Sequence, residues 1–273
     1  MKKILFLISV IAVITSCSQK TQSLNLSKIS ENENAENIRV MAYNVHHCNP
    51  PSKSGLIDID AISKAIKDHN PDLAALQEID VNTGRSGKFN QAEEIAKKLG
   101  MNFFFAKAID YDGGEYGVAI LSKYPISETK INRLPTVAST KGEPRVLATA
   151  IITLPNGKTI RFGSTHLDAQ KDPVNRKMQI KEINRISAEE KLPFIIAGDF
   201  NSAPGSTVIN LLDQYFTRTC QQCDFTIPVI NPNKTIDFIA FVPKSKFIIQ
   251  STHVVPERYA SDHLPVVSVL KMN

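Results

Sequence analysis

The sequence predicts an α/β fold in which two packed β-sheets are flanked by helices. Three observations carry this. Short apolar runs with strand character alternate with helical periodicities from residue 38 onward. No internal repeat, long linker or charge block divides residues 38–273. The hydrophobic content of 42% is that of an ordinary packed core.

The elements follow in order. Ile38 to Val45 reads as a strand entering a loop. Asp58 or Asp60 caps a helix that sets Ile59, Ile62 and Ile66 on one face and stops before Pro71. Leu73 to Gln77 is a short, nearly continuous apolar strand, and Gln91 to Leu99 a second helix ended by Gly100. Strands are expected at Asn102 to Ala106, Val118 to Leu121, Val146 to Leu154 and Thr159 to His166; the last two flank the turn Pro155-Asn156-Gly157-Lys158. Phe103-Phe104-Phe105, the densest aromatic run, is expected in a strand core. A longer helix spans about Pro173 to Glu190, followed by the strand Phe194 to Ala197 and a short helix, Ser206 to Leu212. Strands at Ile236 to Phe241, Phe247 to His253 and Val266 to Leu270 complete the chain.

The start of the chain reads differently. Lys2 and Lys3 precede an 11-residue apolar stretch, Ile4 to Ile14, broken only by Ser9. A spanning helix needs about 20 apolar residues, so this run fits a signal sequence. It ends in Ile14-Thr15-Ser16-Cys17, which resembles a bacterial lipobox. The expectation is a signal over residues 1–16, a lipidated Cys17, and a polar tether over residues 17–37. That places the protein in the bacterial cell envelope, anchored to a membrane and facing the periplasm or exterior. The formal charge of +5 falls to +3 with the signal removed, because Lys2 and Lys3 go and no acid does. So weak a charge does not point to nucleic acid. The composition, with 15 Pro and 12 Gly, excludes collagen-like sequence, and the single apolar run excludes a multi-span membrane protein. In an oxidising compartment Cys220 and Cys223 favour a local disulfide over zinc, since no second Cys/His pair is spaced to complete a zinc site. Cys48 is left over.

Polar residues gather where strands end: Asn44, Glu78, His166-Leu167-Asp168, Asp199-Phe200-Asn201 and Ser261-Asp262-His263. Each alone has an ordinary structural explanation as a cap, a turn or a surface acid. Their recurrence at five strand ends is the signal. Carboxylates with Asn suit a hard cation, Mg²⁺ or Mn²⁺, and two histidines beside several acids suit metal-assisted attack of water on a phosphate ester.

The segments MAYNVHH, ALQEID, YGVAILSKYPI, EPRVLA, STHLD, AGDFNSAP, TIDFIAF and SDHLPVV resemble, in order and spacing, the endonuclease/exonuclease/phosphatase superfamily over residues 38–273. The resemblance implies a four-layer α/β sandwich, two mainly antiparallel sheets flanked by helices, with the site at one rim. It implies Glu78 as the principal metal carboxylate, Asn44 beside it and Asp262 completing the metal shell. It implies that Asp199 orients or deprotonates the attacking water, that Asn201 donates to phosphoryl oxygens, and that His263 contacts the scissile phosphate with Asp237 as its partner. His166 is implied as a second phosphate-side histidine, and Tyr116 and Arg145 as phosphate contacts. No catalytic part is implied for His46, His47 or Asp168, and Arg176 and Gln179 are expected to brace the loop from below. The expected function is a phosphodiesterase, acting as a nuclease or on a lipid headgroup, working as a monomer. A phosphomonoesterase on inositol or sugar phosphates and a non-catalytic binding lipoprotein are the alternatives.

Overall fold

The computed structural model describes residues 37–273. The signal, Cys17 and almost all of the tether expected over residues 1–37 therefore lie outside the described residues.

Two parallel strand pairs organise the molecule. Strand β1 (Asn37–Asn44) pairs parallel with β2 (Leu73–Val81), and the connection between them carries helix α1 (Ile59–His69). Parallel strands need such a crossover, because a tight hairpin joins only antiparallel neighbours. Likewise β7 (Thr159–His166) pairs parallel with β8 (Phe194–Asp199) across helix α3 (Val174–Glu189), with α2 (Gln91–Leu99) lying between β2 and the strands of the next hairpin. The other strands add antiparallel: β3 (Asn102–Tyr111), β4 (Gly114–Ser122), β5 (Ile126–Arg133), β6 (Val146–Thr153), β9 (Thr217–Arg218), β10 (Asp237–Val242), β11 (Phe247–Val254) and β12 (Val266–Met272). A fourth helix, α4, spans Thr207–Asp213. One six-stranded sheet has the order β11-β12-β1-β2-β4-β3 and the other β5-β6-β7-β8-β10-β9.

The layers follow from side-chain alternation. Ile38, Val40 and Ala42 of β1 and Ile195 and Ala197 of β8 meet between the sheets, with Phe162 and Phe241. Met41 and Tyr43 face the other way, against Ile62 and Ile66 of α1 and Ile95 of α2. Phe194 and Ile196 face Ile180 and Ile183 of α3 and Val208 of α4. The central strands are thus buried on both faces, which is why they read as unbroken apolar runs. The result is the expected helix–sheet–sheet–helix sandwich, with mixed sheets that are mainly antiparallel.

Local signals set the helix ends. The Asp58 side chain accepts from the Ala61 amide, Asn90 from those of Ala92 and Glu93, and Ser206 from that of Ile209. Gly100 closes α2 in the left-handed conformation at φ 65°. Among the described residues a disulfide joins Cys220 and Cys223, and Cys48 is free and buried. Three expectations need correction. Strands β2, β3 and β4 run beyond the apolar segments, because pairing continues past them. Ile126–Arg133 is a strand although most of it is exposed; it is an edge strand, held by its pairing to β6. The Phe103-Phe104-Phe105 run is not a strand core: β3 is an edge strand of the other sheet, Phe103 is exposed, and Phe104 and Phe105 are half-buried on its two faces.

Candidate active site

The parallel pairs bring four site residues to one rim. In a parallel pair both strands end at the same edge, so Asn44 finishes β1 beside Gln77 and the neighbouring Glu78 of β2. In the second sheet His166 and Asp199 are direct partners at the ends of β7 and β8. Asp237 opens β10 opposite Asp199, and the Ser261–His263 turn lies just before β12. Gln77 Nε2 donates to Ser164 Oγ (3.2 Å), which donates to the Leu76 carbonyl, tying the two sheets together beneath the rim.

Backbone departures aim individual groups. Glu78 sits in a β-bulge at φ 60°, where the β2–β4 register shifts between Gln77 and Ile79. An extra residue there re-aims a side chain that a regular pleat would send elsewhere. Gly198 allows β8 to approach β7: a Cβ on it would lie 2.0 Å from the Thr165 carbonyl oxygen. The Ser261 hydroxyl donates to the Asn44 carbonyl (2.7 Å), which fixes the turn carrying Asp262 and His263 against the end of β1.

Asp199 is the hub. Its Oδ2 accepts from Asn44 Nδ2 (3.1 Å) and lies 3.4 Å from His166 Nε2 and 3.8 Å from His263 Nε2; its Oδ1 accepts from the Asn201 amide (2.8 Å). Burial, reinforced by the Asp237 charge, pushes its carboxyl upward against the opposing field of His263. His263 is raised: burial opposes its charge, but Asp237, whose carboxylate lies 3.0 Å from Nδ1, outweighs it. Asp237 also accepts from Thr226 Oγ1 (2.6 Å). His166 is pushed well below the ordinary imidazole value by burial and by Arg145, whose Nη1 donates to its Nδ1 (3.2 Å). The neutral His166 therefore directs an Nε2–H toward Asp199.

Glu78 stays ionised. Burial acts against it, yet the nearby His47 imidazole and the Asn44 amide (3.1 Å) hold it below the ordinary carboxylate range. Asn44 therefore bridges two carboxylates through its nitrogen, while its Oδ1 accepts from the His46 amide (3.0 Å). Asp199, Asp237 and His263 also bring ligand-type atoms within 4.8 Å of one another. Within it Asp237 accepts from Thr226 and pairs with His263, a hydrogen-bonded relay that stands beside Asp199. The rim thus offers carboxylate oxygens, from this group and from Glu78, beside the Asn44 amide, and donors of that kind fit a hard cation.

Of the remaining expected residues, the Asn201 side chain donates to the Leu167 carbonyl (3.0 Å), leaving one amide hydrogen for another acceptor. Tyr116 is buried on β4, and Arg145 pairs with Glu143 (2.9 Å) while its Nε is buried without a partner among the described residues. Arg176 donates to the Asp168 carbonyl (2.8 Å) and Gln179 accepts from the Asp168 amide (3.0 Å), bracing the loop as expected. Sequence reasoning missed Thr226 and the approach of His47 to Glu78. Nothing local marks the first, and the second depends on backbone conformation.

Residues 41–263 match the model of the Endonuclease/Exonuclease/phosphatase family. Over 203 residues the chain is 24% identical to a Schizosaccharomyces pombe protein named Inositol phosphosphingolipids phospholipase C, an alignment covering 67% of this chain and 45% of that one. The chain thus spans less than half the length of that relative. It is 29% identical over 185 residues to the protein YbhP of Escherichia coli K12, covering 64% of this chain and 70% of that one. Among solved structures, an endonuclease/exonuclease/phosphatase from Beutenbergia cavernae superposes with a TM-score of 0.72 at 22% identity, over 87% of this chain and 72% of that one.

Proposed function

The chain belongs to the endonuclease/exonuclease/phosphatase family, and from that premise we propose that its rim site hydrolyses a phosphodiester by direct attack of water, with Mg²⁺ or Mn²⁺ bound. One observation carries the reading: a single buried carboxylate, Asp199, is ringed by Asn44, His166 and His263 within 3.1 to 3.8 Å.

In this reading Asp199 Oδ2 orients the attacking water and takes its proton. Its upward displacement by burial makes it a better base than an exposed carboxylate. His263, charged and held by Asp237, faces the phosphoryl oxygens and offsets their developing negative charge. The neutral Nε2–H of His166 is a further donor on that side, kept in this tautomer by Arg145. The free amide hydrogen of Asn201 points to the same use, and Tyr116 and Arg145 line the approach of the phosphate. Glu78 and Asp262, with Asn44 alongside, would hold the cation. When bound, it would act as a Lewis acid on the phosphoryl group.

A relative named as a phospholipase C favours a lipid headgroup diester over nucleic acid, as does the small net charge. Attachment to an envelope membrane through Cys17 would place the enzyme beside such substrates, working as a monomer. A panel of sphingomyelin, inositol-phosphate lipids, plasmid DNA, RNA, free sugar phosphates and bis-p-nitrophenyl phosphate, each with Mg²⁺, Mn²⁺ or a chelator, tests this. Diester turnover that chelator removes is the expected result, with Asp199→Asn lowering kcat more than about a hundredfold. Turnover of monoesters alone, or full activity in Asp199→Asn, would overturn it.

A further inference from the structure

The turn after β1 has two features that this chemistry leaves unexplained. His46, His47 and Cys48 are three successive non-glycine residues with positive φ, at 46°, 42° and 58°. L-residues leave that conformation unless surrounding contacts impose it, and such runs concentrate at functional sites. Here the contacts are specific. The His46 amide donates to Asn44 Oδ1 (3.0 Å), and His46 Nδ1 lies 2.8 Å from the Asn49 carbonyl. Gln91 Nε2 donates to the His47 carbonyl (2.7 Å), and the Asp58 amide donates to the Cys48 carbonyl (2.7 Å).

The second feature is what this turn delivers. Among the described residues His47 Nδ1 is buried without a hydrogen-bond partner and lies 3.9 Å from Glu78 Oε2, beyond hydrogen-bond range. A buried polar atom left unpaired in this way calls for a ligand or another partner. The gap suits one: first-row cations bond imidazole nitrogen and carboxylate oxygen at about 2.0–2.2 Å, so one ion reaches both atoms.

We propose that His47 Nδ1 is a nitrogen donor to the cation held by Glu78, which makes the site prefer first-row transition ions such as Mn²⁺ over Mg²⁺. The proposal rests on the metal-dependent reading above and adds a ligand and an ion preference to it. Mg²⁺ binds through oxygen and keeps its waters, whereas first-row transition ions accept imidazole. The Nδ1 of His46 is directed at the Asn49 carbonyl, whereas that of His47 is left facing Glu78. Gln91, which opens α2, holds the His47 carbonyl and so sets where the ring lies.

Pulsed EPR of the full chain loaded with Mn²⁺, together with calorimetric titration of Mn²⁺ and Mg²⁺, tests the assignment. The wild type should show a ¹⁴N coupling from a directly bound imidazole and a lower Kd for Mn²⁺ than for Mg²⁺. His47→Asn keeps a residue that tolerates positive φ. It should lose the coupling and weaken Mn²⁺ binding about tenfold or more, with Mg²⁺ binding changed less than threefold. His46→Asn, in the same turn, should retain the coupling, and Glu78→Gln should weaken both ions. If His47→Asn fails to fold, as read by circular dichroism, His47→Gln takes its place and the wild-type spectrum still decides. Bound Mn²⁺ without ¹⁴N coupling in the wild type, or a coupling that survives loss of His47, overturns the proposal while leaving metal binding intact. A wild type that binds neither ion overturns both.

Discussion

Thr226 shows how far the relay around the hub extends at the scale of single residues. Its hydroxyl donates to Asp237 (2.6 Å), and its carbonyl accepts from the Leu264 amide (2.8 Å), one residue beyond His263. It therefore grips both the partner of His263 and the turn that carries His263. Replacing the hydroxyl with a methyl leaves the Asp237 carboxylate short of a donor in a buried setting. Thr226→Val should lower kcat about 10- to 100-fold with little change in KM, and Thr226→Ser should restore most of it. Steady-state kinetics on both variants decide this; equal loss in the two would mean that packing, not the hydroxyl, matters. Thr226 was not legible in the sequence, because its partners are 11 and 38 residues away. Asp199, His166 and His263 were legible, because each sits in a short motif bordering an apolar run, the first two after it and the last before it. Asn201 was legible as a site residue, but not its bond to the Leu167 carbonyl, which only the adjacency of β7 and β8 creates.

At the scale of elements, the closeness of β7 and β8 is the feature that sets the site's dimensions. The Cβ of Ala at position 198 would have to lie 2.0 Å from a backbone oxygen, and backbone cannot swing aside as a side chain can. Gly198→Ala should cost about 1–3 kcal/mol in denaturant unfolding, and it should impair catalysis beyond that loss, since Asp199 is the next residue. The end of α3 gives a second test. Glu190 pairs with the buried Arg161 (2.7 Å) and accepts from the Lys191 and Leu192 amides. Burial pushes its carboxyl up, but the Leu192 amide and Arg161 outweigh burial and hold it below the ordinary value. A carboxyl lowered by folding adds stability that is complete above its unfolded value, about 4.3, and lost as pH falls through the folded one. Glu190→Gln should cost about 1–2 kcal/mol at pH 7 and flatten the acid side of the stability curve; an unchanged acid limb would remove the pair from the account. The helices were well foreshadowed, since Asp58, Asn90, Ser206 and Gly100 act within a turn of their own positions. Strand β5 was not, because an exposed edge strand has no apolar alternation and owes its form to β6. The bulge at Glu78 escaped for a related reason: register belongs to a pair of strands, and one strand's residues do not encode it.

At the scale of the whole molecule, the sandwich and its rim site follow from where apolar runs stop and polar motifs begin, which is why the fold could be read at all. The proposed membrane attachment belongs to this scale too. In a bacterial host that processes lipoproteins, the full chain should fractionate with membranes and Cys17→Ala should pass to the soluble fraction, while both hydrolyse soluble bis-p-nitrophenyl phosphate equally. Membrane retention of the variant would remove the anchor from the account. The course of β1 gives such an anchor a direction. Asn37 lies at one end of the strand, paired with Lys271 near the other terminus, and Asn44 of the site lies at the opposite end. Eight extended residues separate the two by about 25 Å. An anchor joined upstream of Asn37 would therefore meet the domain at the end of β1 turned away from Asn44. A bulky soluble protein fused ahead of Asn37 in place of that anchor would stand on the same far end and leave the rim open to substrate.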